Sequence, residues 1–189
     1  MTTDWPFLGL EMGAYGVILA DPPWSFRTRT QKGLGRSPQA HYACMDLPAI
    51  QRLPVAGLAA RDCALVLWAT APMLPQALAT MDAWGFLYKT GGAWAKQSST
   101  GTKWAFGTGY VLRSASEFFL IGTRGHPKPK TRNVRNLIVA PVREHSRKPD
   151  DMRASIEALW AGPYCELFAR EAASGWDCWG NDTAKFGIE

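Results

Sequence analysis

Short apolar runs, separated by polar stretches that contain glycine and proline, are the main pattern along this chain. The runs Tyr15–Ala20 and Cys63–Ala69 have the length and continuity of buried strands of a parallel sheet, and a third run, Phe86–Trp94, predicts another strand that continues to Lys96. Between the second and third runs, residues 73–84 place apolar side chains at helical spacing, and Gly85 follows them. This alternation predicts an α/β fold with a mostly parallel sheet and helices on both faces.

The rest of the chain continues the alternation. Residues 46–60 are predicted to begin a helix at Asp46, which has a capping side chain, and Pro54 is predicted to kink or end it early. The later predicted elements are strands over 115–122, 137–140 and 164–170 and a helix over 149–160. At 189 residues the chain is long enough to bury a sizeable core, and we expect one domain over residues 1–189.

Asp21-Pro22-Pro23-Trp24 directly follows the first apolar run. The two prolines lack backbone N–H donors and have fixed φ angles, so the strand stops and a rigid, extended turn begins. In an α/β sheet such a turn lies where ligands bind, at the carboxyl ends of the strands. A carboxylate and a proline-fixed carbonyl can each accept one proton of a planar exocyclic amine, such as N6 of adenine. Both hydrogen bonds would free the nitrogen lone pair for attack, while the indole ring of Trp24 offers a stacking surface.

This tetrapeptide resembles the catalytic motif of amino-group methyltransferases that use S-adenosylmethionine, and the surrounding chain resembles the MT-A70 family of adenine N6-methyltransferases. The similarity extends from about Tyr15 to Asp182. It implies a Rossmann-like class I methyltransferase fold in circularly permuted order, with the catalytic motif before the cofactor motif. It also implies that Asp21 and the Pro22 carbonyl orient the target amine, that Pro23 completes the motif, and that Trp24 stacks on the base or walls it.

Two later motifs carry the same resemblance. Residues 145–150, His-Ser-Arg-Lys-Pro-Asp, are similar to a family signature that opens a helix, and residues 166–170, Glu-Leu-Phe-Ala-Arg, are similar to Glu-Leu-Phe-Gly-Arg. The chain departs from the family at Ala169, which replaces a glycine, and at Ala172 and Ala173, where some relatives carry His or Asn. The resemblance implies that S-adenosylmethionine is the cofactor and that its contacts are Asp21, Lys148, Glu166, Phe168, Arg170 and Asn181.

Basic segments surround these motifs. Residues 25–42 carry four positive charges and no acid, and the stretch from Arg124 to Lys148 carries eight basic residues and a single acid, Glu144. We expect the second stretch to form a basic rim at the carboxyl end of the sheet, although solvated surface charge explains the same pattern.

Glu117 fits a substrate contact or an ion pair with Arg113, and Tyr42 fits a substrate contact or core packing. The candidate substrate-binding residues are therefore Trp24, Tyr42, Arg27, Arg29, Arg113, Glu117, Arg124, Lys128 and Lys130.

The net charge of +5 and the pI of about 9.2 fit a polyanionic partner such as nucleic acid. The four cysteines lie far apart and the three histidines show no ligand spacing, so neither a metal site nor a disulfide framework is predicted. Free thiols suit a cytoplasmic protein. We expect no membrane association, because no signal segment and no long apolar run is present.

The sequence thus predicts an S-adenosylmethionine-dependent adenine N6-methyltransferase that binds nucleic acid. DNA is favoured over RNA, because a compact member of this family resembles the bacterial and phage enzymes. The alternatives are an RNA adenosine methyltransferase, a methyltransferase of protein glutamine, and a non-catalytic nucleic-acid-binding subunit. A homodimer or a partner subunit is compatible with each of them.

Overall fold

Seven strands form one sheet in the computed structural model, which describes residues 5–24, 45–144 and 147–180. Their order across the sheet is β5-β3-β4-β2-β1-β6-β7. The apolar runs of the sequence supply the central strands. The bounds are β1 Tyr15–Ala20, β2 Ala59–Ala69, β3 Leu87–Gln97, β4 Ser116–Arg124, β5 Leu137–Pro141, β6 Tyr164–Leu167 and β7 Trp176–Trp179.

Three α-helices accompany these strands in the described part of the chain, namely α1 Leu47–Arg52, α2 Leu74–Ala83 and α3 Asp151–Leu159. Helix α1 begins as predicted at Asp46, whose carboxylate accepts a hydrogen bond of 2.8 Å from the amide of Ala49. It ends at Arg52, ahead of Pro54, because proline cannot continue the helical hydrogen bonds. Helix α2 begins one residue later than predicted, because a 3-10 turn precedes it.

The strand directions determine which side chains can meet. β1 is parallel to β2 and β6, β6 to β7, and β3 to β5, whereas β4 is antiparallel to both β2 and β3. The mostly parallel sheet is therefore confirmed, with one reversed strand. The carboxyl ends of the parallel strands and the beginning of β4 lie along one side of the sheet. We call this side the Asp21 edge, because Asp21 follows the last residue of β1 there.

Each face of the sheet carries its own core. On one face, Ile18 of β1 and Leu65 of β2 pack in a cluster that includes Ile50 of α1 and Met81 of α2. On the other face, Val17, Leu19 and Val66 pack with Met152 and Ile156 of α3. Neighbouring residues of β1 thus point to opposite faces, and both faces are covered by helices. None of the helices in the described ranges has the length and apolar character needed to span a membrane.

Candidate active site

The turn at the end of β1 is built from the predicted tetrapeptide. The amide of Asp21 donates to the Leu167 carbonyl of β6 at 3.3 Å, so the turn begins as the parallel ladder ends. The amide of Trp24 donates to the Pro22 carbonyl at 2.7 Å and closes a tight turn. A carbonyl oxygen has two lone pairs, so Pro22 retains one acceptor site after this bond. The backbone is held rigidly, and the Asp21 carboxylate is presented at the Asp21 edge.

Trp24 lies in the core. Its side chain is 4% exposed and packs in the cluster on the α1 and α2 face, and its indole N–H donates to the Trp68 carbonyl at 3.0 Å. The sequence suggested an open stacking surface, whereas the structure encloses the ring because apolar packing and a hydrogen bond both favour burial. Trp24 therefore supports the turn from the core. Of the two roles that the sequence suggested, a wall of the base pocket fits this buried position better than a stacking surface does.

Asp21 and three other charged side chains meet at this edge, each from a different part of the fold. The ammonium group of Lys148, just before α3, lies 2.8 Å from Asp21 Oδ2 and 3.1 Å from Glu117 Oε1. Glu117 is the second residue of β4, and its other oxygen lies 2.7 Å from the ammonium of Lys96 near the end of β3. We call Asp21, Lys148, Glu117 and Lys96 the charge centre. The antiparallel direction of β4 is what brings Glu117 to this edge.

The charge centre shifts the protonation equilibria of its members. Burial alone would raise the pKa of Glu117, but the ammonium groups of Lys148 and Lys96 outweigh burial and lower this pKa to about 2. Burial would lower the pKa of Lys148, but its two carboxylate partners raise it. Burial raises the pKa of Asp21, and Glu117 adds to that effect, while Lys148 opposes it. Glu117 is thus held firmly ionised, and Asp21 is the carboxyl group that takes up a proton more readily.

The low pKa of Glu117 predicts a pH-dependent contribution to stability. A carboxyl group with a folded-state pKa near 2 instead of 4.5 stabilises the fold above its unfolded pKa, and this contribution disappears as pH falls towards 2. We expect Glu117→Gln to lower the free energy of unfolding at pH 7 by about 3 kcal/mol. The difference from the unmodified protein should narrow below pH ~4.5, as measured by urea unfolding. Asp82→Asn, an exposed acid on α2, is the control, and two curves separated equally at every pH would contradict the prediction.

Acids and bases from β6 and α3 continue the site along the same edge. Arg153 of α3 donates to Glu166 at 2.8 Å and lies 3.1 Å from Glu171, and Arg147 lies 2.8 Å from the other oxygen of Glu171. Phe168 directly follows β6 with φ of 62°, a backbone conformation that is uncommon for a residue with a side chain and that is often found at functional sites. One crevice joins this group to the charge centre, and its lining includes Asp21, Lys148, Glu166, Phe168, Arg170 and Glu171.

Comparison with known proteins identifies the group to which this arrangement belongs. The MT-A70 family model matches residues 15–182, which include the Asp21 turn, the charge centre and the crevice. The chain belongs to the MT-A70 family. The match therefore confirms the resemblance that the sequence motifs indicated, and the sheet described above is that of an MT-A70 methyltransferase.

Individual members of the family are similar over most of this chain. Type II methyltransferase M.MunI of Mycoplasma sp is 33% identical over 94% of this chain and 81% of its own length. N(6)-adenosine-methyltransferase MT-A70-like of Arabidopsis thaliana is 30% identical over 90% of this chain, but only 24% of its own length is matched. The N(6)-adenosine-methyltransferase catalytic subunit METTL3 of Homo sapiens is 28% identical over 84% of this chain, and 26% of its own length is matched. The chain thus spans about a quarter of the eukaryotic proteins and most of the Mycoplasma protein.

Several predicted MT-A70 site residues do come together. Asp21, Lys148, Glu166, Phe168 and Arg170 all line the crevice, although their contacts with a cofactor stay a prediction. Glu117 also lies at this edge, but Lys96 and Lys148 are its ion-pair partners rather than Arg113. The guanidinium of Arg113 lies instead over the Phe106 ring, 5.0 Å from its centre. The predicted site residues outside the described ranges are Arg27, Arg29, Tyr42 and Asn181.

The predicted basic rim requires a correction. Arg124 is the last residue of β4 and pairs with Cys63 near the beginning of β2, so it lies on the side of the sheet opposite the Asp21 edge. The Lys130 amide donates to the carbonyl of Leu159, and its ammonium donates to the carbonyl of Glu157, at the end of α3 that is also remote from Asp21. Lys128 is exposed in the segment between them. The predicted rim is therefore wrong for Arg124, Lys128 and Lys130, because β4 runs antiparallel and carries the beginning of the basic stretch away from the site. The end of the stretch returns to it, since Arg147 and Lys148 line the crevice.

The substitution at Ala169 also has a local explanation. Ala169 is 2% exposed, and its amide donates to the Trp179 carbonyl at 2.9 Å. The left-handed conformation falls on Phe168, so no glycine is needed at the next position. A Cβ at Gly180 would instead collide with the Ala169 carbonyl, so the close backbone approach is made at Gly180. The methyl group of Ala169 is accommodated by protein packing within this part of the fold.

Sequence reasoning missed three residues that complete the site, namely Lys96, Arg153 and Glu171. Lys96 had a usable signal, because a lone lysine at the carboxyl end of a predicted parallel strand lies where ligands bind. Arg153 and Glu171 had none, since charged residues on a helix and in a loop are ordinarily exposed. Within residues 5–24, 45–144 and 147–180, no group of three or more His, Cys, Asp or Glu side chains is arranged to hold a metal ion.

Proposed function

We propose that this MT-A70 protein methylates N6 of adenine in nucleic acid and that S-adenosylmethionine is the methyl donor. The observation that carries the proposal is the placement of Asp21. Its carboxylate follows β1 at a proline-fixed turn, lies 2.8 Å from Lys148, and faces the crevice that Glu166, Phe168 and Arg170 also line. An acceptor held rigidly next to a charged crevice is what orientation of a weakly nucleophilic amine requires.

The chemistry assigned to this chain is orientation of the amine and stabilisation of developing charge. The Asp21 carboxylate accepts one N6 proton, and the free lone pair of the Pro22 carbonyl is available for the other. The lone pair of N6 is then no longer delocalised into the ring. As the new N–C bond formed, the bond between the donor sulfur and the methyl group would break and a neutral thioether would leave. Positive charge would develop on N6, and the nearby carboxylate would stabilise it. The extra N6 proton leaves to water after transfer, because methylation makes it acidic, and no separate general base is needed.

The residues of the crevice fit the proposed cofactor. S-adenosylmethionine supplies an electrophilic methyl group on a sulfonium and carries a carboxylate, an ammonium and ribose hydroxyls. The ammonium of Lys148 has three protons, of which Asp21 and Glu117 accept two, so one remains for a carboxylate. Glu166 retains acceptor sites beyond its bond to Arg153, and Arg170 adds positive charge to the same wall. Both signs of charge that the cofactor presents are thus matched within one crevice.

DNA is favoured as the substrate. The similarity covers 81% of a compact Type II methyltransferase, a class that in general modifies DNA, whereas it covers about a quarter of the N(6)-adenosine-methyltransferases of Arabidopsis thaliana and Homo sapiens. RNA is the second candidate, because those larger relatives share the same core region. The intact Asp21 turn speaks against a purely scaffolding subunit, and the basic composition speaks against a glutamine substrate. Cytoplasmic location and a possible homodimer or partner subunit stay predictions.

Transfer of label from S-adenosylmethionine to DNA and RNA tests the proposal. The purified protein is incubated with matched single- and double-stranded pools, which are then digested to nucleosides. N6-methyldeoxyadenosine from the DNA pools is the expected product. N6-methyladenosine from RNA alone would move the substrate to RNA. An absence of product from every pool, together with heat of cofactor binding by calorimetry, would overturn nucleic-acid methylation by the isolated chain.

A further inference from the structure

An apolar projection stands beside the charge centre and has no role in the chemistry above. Residues 98–115 connect β3 to β4 and are called the finger. They present a group of large apolar side chains to solvent, whose exposed fractions are 63% for Trp104, 79% for Phe106, 47% for Tyr110, 90% for Val111 and 81% for Leu112. Such side chains are seldom clustered on a soluble surface unless they contact a partner.

The finger has a defined shape. At its base, the Lys96 amide donates to the Ala115 carbonyl at 2.8 Å, and bridges join Gln97 to Trp104 and Gly107 to Ser114. Between the last two residues the chain turns back on itself. A side chain at Gly109 would collide with the Leu112 carbonyl, so the turn is closed tightly there. The tip, Tyr110–Leu112, is therefore held outward by backbone contacts on both sides.

The finger is also fixed to the site. Lys96 at its base lies 2.7 Å from Glu117, and Glu117 lies 3.1 Å from Lys148, which contacts Asp21. β3 ends and β4 begins at the Asp21 edge, so the finger leaves the sheet on the side from which a substrate reaches the carboxylate. Whatever macromolecule presents its target group to Asp21 approaches this projection as well.

The charge of the finger indicates which partner it meets. No Asp or Glu occurs between Asp82 and Glu117, whereas Lys103 and Arg113 lie within the finger, among several hydroxyl side chains. Arg113 lies with its guanidinium over the Phe106 ring, 5.0 Å from the ring centre, close to the apolar tip. Apolar side chains flanked by cations and hydroxyls match a nucleic acid, because the former contact bases and the latter contact phosphates.

We propose that the tip of the finger is a wedge that enters a DNA duplex and fills the space vacated when the target adenine leaves the base stack. The proposal rests on the proposed function, since only an enzyme that acts on a paired base needs such a wedge. A base must be extruded from a duplex before Asp21 can contact its amine. Val111 and Leu112 supply a solvent-exposed apolar surface that replaces the lost stacking contacts, and Arg113 adds charge for the adjacent phosphate.

The test compares the same DNA in two forms. Initial rates of methyl transfer are measured on unmethylated plasmid DNA in its native duplex form and after heat denaturation to single strands. The variant is Val111→Ala/Leu112→Ala, whose side chains are too exposed to support the core. The control is Leu87→Ala, which removes an apolar side chain of 65% exposure at the beginning of β3, on the side of the sheet opposite the Asp21 edge.

We expect the double variant to lose about tenfold or more of its rate on duplex DNA, which corresponds to at least ~1.4 kcal/mol of lost transition-state stabilisation. Its rate on denatured DNA should stay within about twofold of the rate of the unmodified protein, because no stacked, paired base has to be displaced. The Leu87→Ala control should match the unmodified protein on both forms.

Other outcomes overturn the wedge. Unchanged rates on both forms, or an equal loss on both, would remove the tip from base extrusion. A shift from dimer to monomer in sedimentation, with an unchanged ratio of the two rates, would assign the tip to a protein contact. Methylation of single strands alone by the unmodified protein would overturn the wedge but leave adenine methylation in place. Absence of product on any nucleic acid would overturn the proposed function, and the wedge with it.

Discussion

Replacement of Asp21 by alanine should reduce methyl transfer by about a thousandfold, the largest effect expected for any single side chain of this protein. In the proposed mechanism the carboxylate is the acceptor that orients the target amine and the charge that stabilises N6 as the bond forms. Its turn is fixed by Pro22, by one hydrogen bond to β6 and by one within the turn, so no neighbouring acid can move into its place. Glu117 is committed to Lys96 and Lys148 and stays on the β4 side of the charge centre.

Cofactor affinity should change much less in the same variant. Glu166 belongs to β6, Phe168 and Arg170 follow it, and Lys148 keeps Glu117 as a partner, so these residues still line the crevice in the variant. We therefore expect the dissociation constant for S-adenosylmethionine, measured by calorimetry, to stay within about tenfold of the value for the unmodified protein, or ~1.4 kcal/mol.

Asp21→Asn tests the charge alone, because it keeps the shape and one acceptor oxygen, and methyl transfer by this variant should also be severely impaired. Asp82→Ala removes an exposed acid of α2 and is the control. Full turnover in Asp21→Ala would exclude the carboxylate from the mechanism.

The sequence was sufficient to predict six of the seven described strands and the three described helices, but not β7 or the complete arrangement. The buried strands are predictable because continuous apolar runs such as Tyr15–Ala20 have few alternatives, and Asp46 and Pro54 define α1 through local hydrogen-bonding rules. The direction of β4 is not local. It depends on how the strand packs between β2 and β3, and the periodicity of Ser116–Arg124 is the same in either direction.

The antiparallel direction of β4 explains both why Arg124 lies away from the site and why Glu117 lies within it. Because β4 runs antiparallel, Arg124 at its end lies far from Asp21, and the first part of the basic stretch, through Lys130, lies away from the crevice. For the same reason Glu117 at its beginning lies next to Lys148, and the sequence-based pairing with Arg113 is replaced by a lysine that comes from α3's leading segment. Motif recognition located Asp21 and Lys148 separately. Their separation of 2.8 Å follows only from the assembled sheet.

Burial of Trp24 illustrates a second limit of sequence reasoning. An aromatic residue next to a catalytic carboxylate suggests a stacking surface, and the same residue is also a large apolar side chain that favours the core. The sequence contains no signal that distinguishes a stacking surface from a core residue. The structure distinguishes them, because the Trp68 carbonyl accepts a hydrogen bond from the indole N–H inside the core. The exposed aromatic residues lie instead on the finger, at Trp104 and Phe106, in a segment whose sequence is polar and glycine-rich.

Lys148→Met should lower the free energy of unfolding by about 3 kcal/mol, a loss as large as that expected for Glu117→Gln. The lysine ammonium contacts two carboxylates whose side chains are only 17% and 10% exposed, for Asp21 and Glu117 respectively. Without it, Glu117 keeps Lys96, whereas Asp21 keeps the weaker attraction of Arg170. Removal of one partner from a buried ion pair is far costlier than loss of a surface pair. Urea unfolding at pH 7 measures the loss, and Lys128→Met, at an exposed lysine remote from the site, is the control.

The pH dependence and a double variant separate electrostatics from packing. Loss of Lys148 raises the pKa of Asp21 further, so the variant should take up a proton there at mildly acidic pH and regain part of its stability relative to the unmodified protein. Lys148→Met/Glu117→Gln removes one of the two carboxylates and should recover about 1 kcal/mol or more of the loss of Lys148→Met. If the double variant is as unstable as the sum of the single variants, the lysine stabilises the fold through packing over the Trp68 ring, 5.5 Å from its ammonium, and not through Asp21 and Glu117.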